Sequence, residues 1–248
     1  MYYYVYDEFV QDPKFERELA QIETRLTDLG VSGKIARLAL FRDATELIKD
    51  EVRKGAKTIV AVGNDLTLRK VIDAAADLGA ALGIIPLGNG ENNIARILGI
   101  PSGVAACDVI SARIIEEIDT GAVNGQRFIN SLVIEDARGI AIDIEGKYRV
   151  TPIRNGSIEV RNLAMAEADV PVALPTDGSV ELVIRTPEKS WFGKKKNAVS
   201  LIPVEDVMMF SERPVQIRVD GELFEGQKFR VSVIHGQLRM ITGKDRAF

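Results

Sequence analysis

Hydrophobic positions follow two rhythms along this chain, and the change falls near Gly121. Before it, short apolar runs alternate with stretches in which apolar residues recur every three or four positions. Tyr3–Val5 predicts a first strand. Pro13–Leu29 predicts a helix, with Leu19, Ile22, Leu26 and Leu29 at helical spacing and Pro13 suited to a first turn. Asp43–Lys54 predicts a second helix, with Asp43 as N-cap and Gly55 just past its end. Thr58–Val62 is an uninterrupted β-branched and apolar run, the mark of a strand covered on both faces. Leu66–Leu78 predicts a helix, Ala81–Ile85 a buried strand, Asn92–Leu98 a short helix and Val104–Ile118 a longer one. Strands alternating with helices imply a parallel sheet with crossovers.

Beyond Gly121-Ala-Val-Asn-Gly125 the helical rhythm is lost. Phe128–Ile134, Gly139–Ile144, Ser157–Ala164, Ser179–Arg185, Ala198–Pro203, Val215–Val219, Phe229–Ile234 and Gln237–Ile241 are short β-rich runs separated by Gly, Asn, Pro or Asp turns. This predicts an antiparallel β-sandwich. The expected fold is thus an α/β N-terminal domain with a Rossmann-like parallel sheet over residues 1–121, followed by a sandwich over 122–248. The chain end is expected to return to the first domain.

Two stretches break this regularity in the same way. Val60-Ala-Val-Gly-Asn-Asp-Leu-Thr67 and Ile84-Ile-Pro-Leu-Gly-Asn-Gly-Glu-Asn-Asn-Ile-Ala95 each run from a buried strand through glycine and polar residues into a helix. Such loops suit anions, because N–H groups at a helix start lack intrahelical partners and the helix dipole favours negative charge there. In open α/β sheets, ligands sit outside the carboxyl ends of the strands, where both loops must lie. Read alone, the first loop is equally well a strand-to-helix turn capped by Asp65 or Thr67.

Charge and composition narrow the classes. A net charge of −4 argues against a generic nucleic-acid binder. The single cysteine, Cys107, excludes an intrachain disulfide and any cysteine-rich metal site, so a reducing cytoplasm is the expected home. His235 is the sole histidine, which removes two-histidine zinc motifs, and no nucleophile elbow is present. The N-terminal residues do not read as a signal peptide, and no apolar stretch reaches membrane-spanning length.

Pro86-Leu-Gly-Asn-Gly-Glu-Asn-Asn-Ile-Ala95 resembles the proline-leucine-glycine segment of the diacylglycerol kinase catalytic-domain family, which includes bacterial lipid kinases and sphingosine kinases and is distantly related to NAD kinases. The first loop falls where that family carries its Gly-Gly-Asp-Gly-Thr motif, and Val219-Asp-Gly-Glu222 is similar to its late Asp-Gly-Glu. The resemblance implies phosphoryl transfer from ATP with Mg²⁺ to a hydroxyl of a lipid or lipid-like alcohol, in a cleft between an α/β domain and a β-sandwich. By position, Gly63, Asn64, Asp65, Thr67, Gly88, Asn89 and Gly90 would meet the nucleotide phosphates. Asp65, Asp220 and Glu222 would be the catalytic carboxylates, with Asp220 or Glu222 as general base. No metal-ligand set is assigned.

The chain departs from the family pattern at Asn64 and Leu66, where the family has glycines, and at Lys70, where it has an acid. A second reading therefore stands beside the first: a catalytically inactive homologue that binds a nucleotide or another anion, or serves as an interaction module. Asp220-Gly-Glu222 is equally well an acidic β-turn. Ser190-Trp-Phe-Gly-Lys-Lys-Lys196 predicts a hairpin tip. If the protein acts on lipid, Trp191, Phe192, Lys194, Lys195 and Lys196 are the expected peripheral contact with an anionic bilayer. Exposed sheet edges leave room for a homodimer.

Overall fold

The uninterrupted apolar runs become the centre of a parallel sheet. In the computed structural model, which describes residues 1–38, 44–88, 90, 92–152, 155–188 and 196–248, the chain divides into two compact units. The first comprises Met1–Ile118 with Gly236–Phe248, the second Asp119–His235.

The first unit contains β1 (Tyr2–Tyr6), α1 (Glu16–Asp28), β2 (Gly33–Arg37), α2 (Ala44–Arg53), β3 (Thr58–Gly63), α3 (Asp65–Asp77), β4 (Ala81–Pro86), α4 (Asn93–Ile97) and α5 (Ala106–Ala112). Strands β2, β1, β3 and β4 pair in that order, all parallel. Every residue of β3 and β4 is buried, as expected of central strands covered on both faces. Tyr6 pairs with Val62, and Val62 with Ile85, so the segments that follow β1, β3 and β4 leave the sheet side by side at its carboxyl end. Asp7 N–H donates to the Val62 carbonyl at 3.1 Å, and Leu87 N–H to the Gly63 carbonyl at 2.8 Å, which fixes the three loop starts together.

The remaining strands are β5 (Ile114–Val123), β6 (Gln126–Phe128), β7 (Ser131–Ile134), β8 (Ile140–Ile144), β9 (Tyr148–Val150), β10 (Ser157–Arg161), β11 (Val180–Glu188), β12 (Lys196–Val204), β13 (Asp206–Val219) and β14 (Glu222–Thr242). The second unit is antiparallel, in the order β12-β11-β10-β7-β13-β14, with β8 and β9 added to the first half of β13. Its core draws Phe128, Leu132, Ile142, Val160, Leu182, Val207, Val219 and Val231 into one apolar cluster. The α/β unit with parallel strands and the antiparallel region that follows are the fold class the sequence predicts. Among the described helices none is long and apolar enough to cross a membrane.

Several element boundaries differ from expectation. The helix predicted over Val104–Ile118 is only α5, preceded by a 3₁₀ turn at Gly103–Ala105 and ended by Arg113 in a left-handed conformation at φ 52°. Ile114–Ile118 then runs extended as the start of β5, whose Ile-Ile-Glu-Glu-Ile sequence mimics a helical apolar spacing. The turn expected at His235–Gly236 is absent: β14 continues through it, and Gly236 absorbs the irregularity with φ 55°. The edge strand β2 and the short β9 carry too few buried apolar residues to announce themselves. The N-cap expected at Asp43 lies outside the described residues.

Two consequences are measurable. A Cβ on Gly121 would stand 2.1 Å from the ring of the fully buried Phe128, so Gly121→Ala is expected to cost about 1–3 kcal/mol in denaturant unfolding. Cys107 is buried beneath α1, with Sγ 3.9 Å from the Ile22 carbonyl, and burial pushes its thiol up to about 11. A thiol held protonated and covered reacts slowly. Alkylation at pH 8 should therefore be slow in the native protein and become fast only as denaturant unfolds it.

Candidate functional site

The carboxyl end of the first unit's sheet gathers most of the residues singled out above. Gly63 closes β3, and the chain turns at once into α3. Asn64 is the N-cap: its Oδ1 accepts from Thr67 N–H at 3.2 Å, while Thr67 Oγ1 accepts from Asn64 N–H at 3.0 Å, a reciprocal capping box. Gly63 is required by this closeness, since a Cβ there would lie 2.1 Å from Thr67 Oγ1. Thr67 Oγ1 donates in turn to Asp7 Oδ2 at 2.8 Å. Lys70 Nζ reaches the same oxygen at 2.8 Å, one turn further along α3. Asp7, almost fully buried, thus receives a hydroxyl and an ammonium, which meets the general need of a buried carboxylate for partners. The lysine that departs from the family pattern is occupied in binding it.

Asp65 is turned the other way. Its carboxylate accepts from Asn93 N–H at 2.7 Å and from Ile94 N–H at 3.3 Å, the first backbone donors of α4. The side chain of the first loop therefore caps the helix of the second, in the position where an external anion would otherwise satisfy those donors. Of the two caps proposed from sequence for the first loop, Thr67 joins the capping box and Asp65 serves the neighbouring helix. Leu66 points outward and is 45% exposed.

The second loop packs on the first. Gly88 has φ 81° and lies against the Phe9 ring, to which a Cβ would approach within 2.9 Å. A Cβ on Gly90 would come to 2.4 Å from Asn64 Nδ2, so the loops meet where the bare Gly90 leaves room for the Asn64 side chain. Asn89 lies outside the described residues. Beside Gly90 is a hollow of about 560 Å³ lined by Pro86, Asn92, Asn93, Arg96 and Ser102 among others. Arg96 Nη2 donates to Asn93 Oδ1 at 2.6 Å, and Asn92 Oδ1 is buried and has no hydrogen-bond partner among the described residues. Amide, hydroxyl and guanidinium donors around one hollow form a set suited to phosphate oxygens. Among the described residues no group of three His, Cys, Asp or Glu side chains is arranged to hold a metal ion.

Asp220 and Glu222 lie in the second unit. Asp220 (φ 45°) and Gly221 (φ 90°) form the two-residue turn between β13 and β14, where Val219 pairs with Glu222. The Asp220 carboxylate accepts from the N–H groups of Ile129, Asn130 and Ser131 at 2.8, 2.9 and 3.1 Å. It holds the β6–β7 connection in place. Glu222 is exposed at the first position of β14. The turn reading of Asp220-Gly221 is what the backbone adopts, and it leaves Glu222 as the accessible carboxylate of the pair. Trp191, Phe192, Lys194 and Lys195, and the side chain of Lys196, lie outside the described residues. Asp7 carries no motif and was not legible beforehand, because its importance arises from contacts to residues far along the chain.

Comparison with known proteins bears on the family and the fold. Residues 4–123 match the diacylglycerol kinase catalytic domain. A diacylglycerol kinase of Bacillus subtilis (strain 168) is 34% identical over 120 residues, 47% of this chain and 39% of its own. A "Probable lipid kinase YegS-like" protein of Pseudomonas aeruginosa (strain UCBPP-PA14) is 42% identical over 90 residues, 36% of this chain and 30% of its own. These alignments span about two fifths or less of the curated relatives' length. The crystal structure of a diacylglycerol kinase from Bacillus anthracis str. Sterne superposes with a TM-score of 0.79 at 18% identity, covering 99% of this chain and 98% of that one. The resemblance to the diacylglycerol kinase catalytic-domain family is borne out.

The Asp65 cap is open to test. Asp65→Ala should lower stability by about 1–2 kcal/mol through loss of the bonds to Asn93 and Ile94. Asp65→Asn, which keeps an acceptor oxygen, should recover part of it. Denaturant midpoints unchanged in both would show that the cap contributes nothing.

Proposed function

We propose that the protein transfers a phosphoryl group from ATP to a hydroxyl of a lipid or lipid-like alcohol. The observation that carries this reading is the match of residues 4–123 to the diacylglycerol kinase catalytic domain, with both glycine loops at the carboxyl ends of adjacent strands β3 and β4. The hollow beside Gly90 supports it, because its donors suit phosphate oxygens.

In this reading Gly63, Asn64, Gly88, Asn89 and Gly90 let the phosphates approach the backbone, and Arg96 adds positive charge. Mg²⁺, when bound with the nucleotide, supplies charge neutralisation on the phosphates, as phosphoryl transfer requires. Asp65 keeps the second loop in register by capping α4, and Thr67 and Lys70 hold the start of α3 through Asp7; these are positioning residues. Glu222 accepts the proton of the attacking hydroxyl, while Asp220 fixes the β6–β7 connection and the turn that presents Glu222. The aromatic and lysine residues 191–196 are assigned to contact with the lipid surface.

Nucleotide binding should raise the melting temperature, since a ligand that binds only the folded state stabilises it by ~2.7 kcal/mol at a hundredfold excess over its Kd. Mg²⁺–ATP should therefore shift the thermal transition upward, and phosphate transfer to a panel of lipid alcohols should follow. Glu222→Gln is expected to lower kcat by about 10²–10⁴-fold while keeping the ATP-induced shift. Stabilisation without transfer to any acceptor would identify a nucleotide-binding homologue instead, and no stabilisation would sink the kinase reading.

A further inference from the structure

Within the second unit, β13 is flanked along one edge by two different strands. Its residues Val207–Ser211 pair with β8, and Arg218–Val219 pair with β7. Between those pairings the register against β14 also slips, from Phe210 opposite Lys228 to Val215 opposite Gly226. Such an irregularity is of the kind that inserted residues produce in a strand. A hollow of about 1230 Å³ opens there on the outer face.

Arg149, Arg213 and Arg218 line this hollow, and among the described residues none of the three guanidinium groups has a hydrogen bond or ion pair. Arg138 also lines it but is held by Asp136, with Nε 2.9 Å from Oδ2. Glu135 and Glu212 complete the charged lining. With Arg138 and Asp136 set against each other, three arginines face two carboxylates, an excess of one positive charge. Two large apolar side chains share the same wall: Leu223, opposite Arg218 across the strand pair and 63% exposed, and Phe210, 36% exposed. Leu223 and Glu222 are successive residues of a strand, so their side chains leave opposite faces and the hollow does not use Glu222.

We propose that this hollow is a binding site for a single phospholipid molecule with a monoanionic phosphodiester head group. Arginine guanidinium groups match phosphate oxygens in geometry and charge, and a charge excess of one matches a phosphodiester rather than a polyphosphate. The exposed Leu223 and Phe210 offer an apolar bed for the start of the acyl chains, burial of which is favourable in proportion to the area covered. The site belongs to the second unit alone and does not rest on the phosphoryl-transfer reading.

The full chain would be titrated calorimetrically with dihexanoyl phosphatidylglycerol kept below its micellar concentration. Parallel titrations with glycerol 3-phosphate, which lacks the chains, and with dihexanoylglycerol, which lacks the charge, separate the two halves of the site. Wild type should bind the phospholipid more tightly than either fragment. Replacing Arg149, Arg213 and Arg218 together by Gln should weaken it by roughly tenfold or more, and Leu223→Ser by a few-fold, with the thermal transition of both variants unchanged. A control lacking Lys14, Lys49 and Lys57 removes as many charges from exposed positions of the first unit and should bind as wild type does. Equal weakening in that control, undiminished binding in the triple variant, or equal affinity for glycerol 3-phosphate would each overturn the proposal.

Discussion

The carboxylate of Asp65 joins the two loops on which the candidate site depends. A helix start presents backbone donors that must find an acceptor, and the second loop has no cap of its own at Asn92. Asp65 supplies one from the neighbouring loop, so Asn93 and Ile94 are tied to the first turn of α3. The same solution recurs elsewhere in the chain. Asp7 gathers Thr67 and Lys70, and Asp220 gathers three successive N–H groups of the β6–β7 connection. Three acidic residues thus order loops by accepting hydrogen bonds, Asp7 and Asp65 in the first unit and Asp220 in the second.

This division of labour separates carboxylates that resemble one another in sequence. Asp65 and Asp220 spend their oxygens on backbone donors. Glu222, two positions beyond Asp220, stands exposed at the start of a strand. The departures at Asn64 and Lys70 acquire a physical sense as well: Asn64 caps α3, and Lys70 neutralises Asp7. Glycine at position 64 would lack the capping oxygen that Thr67 N–H uses, and an acid at position 70 would leave Asp7 with one partner fewer.

Much of this was readable in advance, and the reasons it was are particular. β3 and β4 are continuous apolar runs with polar breaks, so their identity, and the loops at their ends, followed from sequence alone. Asp220-Gly221 announced a tight turn through its residue types. The length of α5 was misjudged because Ile114-Ile-Glu-Glu-Ile118 fits a helical spacing as well as a strand entering a buried sheet. The continuity of β14 was hidden by Gly236, which usually ends a strand. Asp7 could not be found, since nothing local distinguishes it and its partners Thr67 and Lys70 lie far along the chain. The hollow beside β13 was equally hidden, because it follows from which strands pair with each half of β13.

The return of Gly236–Phe248 to the first unit has a consequence for synthesis on the ribosome. Met240 pairs with Leu82, Gly243 N–H bonds to the Leu98 carbonyl at 2.7 Å, and Ala247 N–H to the Ile97 carbonyl at 2.9 Å. The first unit begins to emerge before the second, yet it lacks this flank until residues after 235 have been made. The second unit, continuous from 119 to 235, is complete in sequence once residue 235 has been made. Nascent β4 must wait with one edge unpaired, a state that invites association with other chains. The order in which the units are completed is therefore the reverse of the order in which they begin.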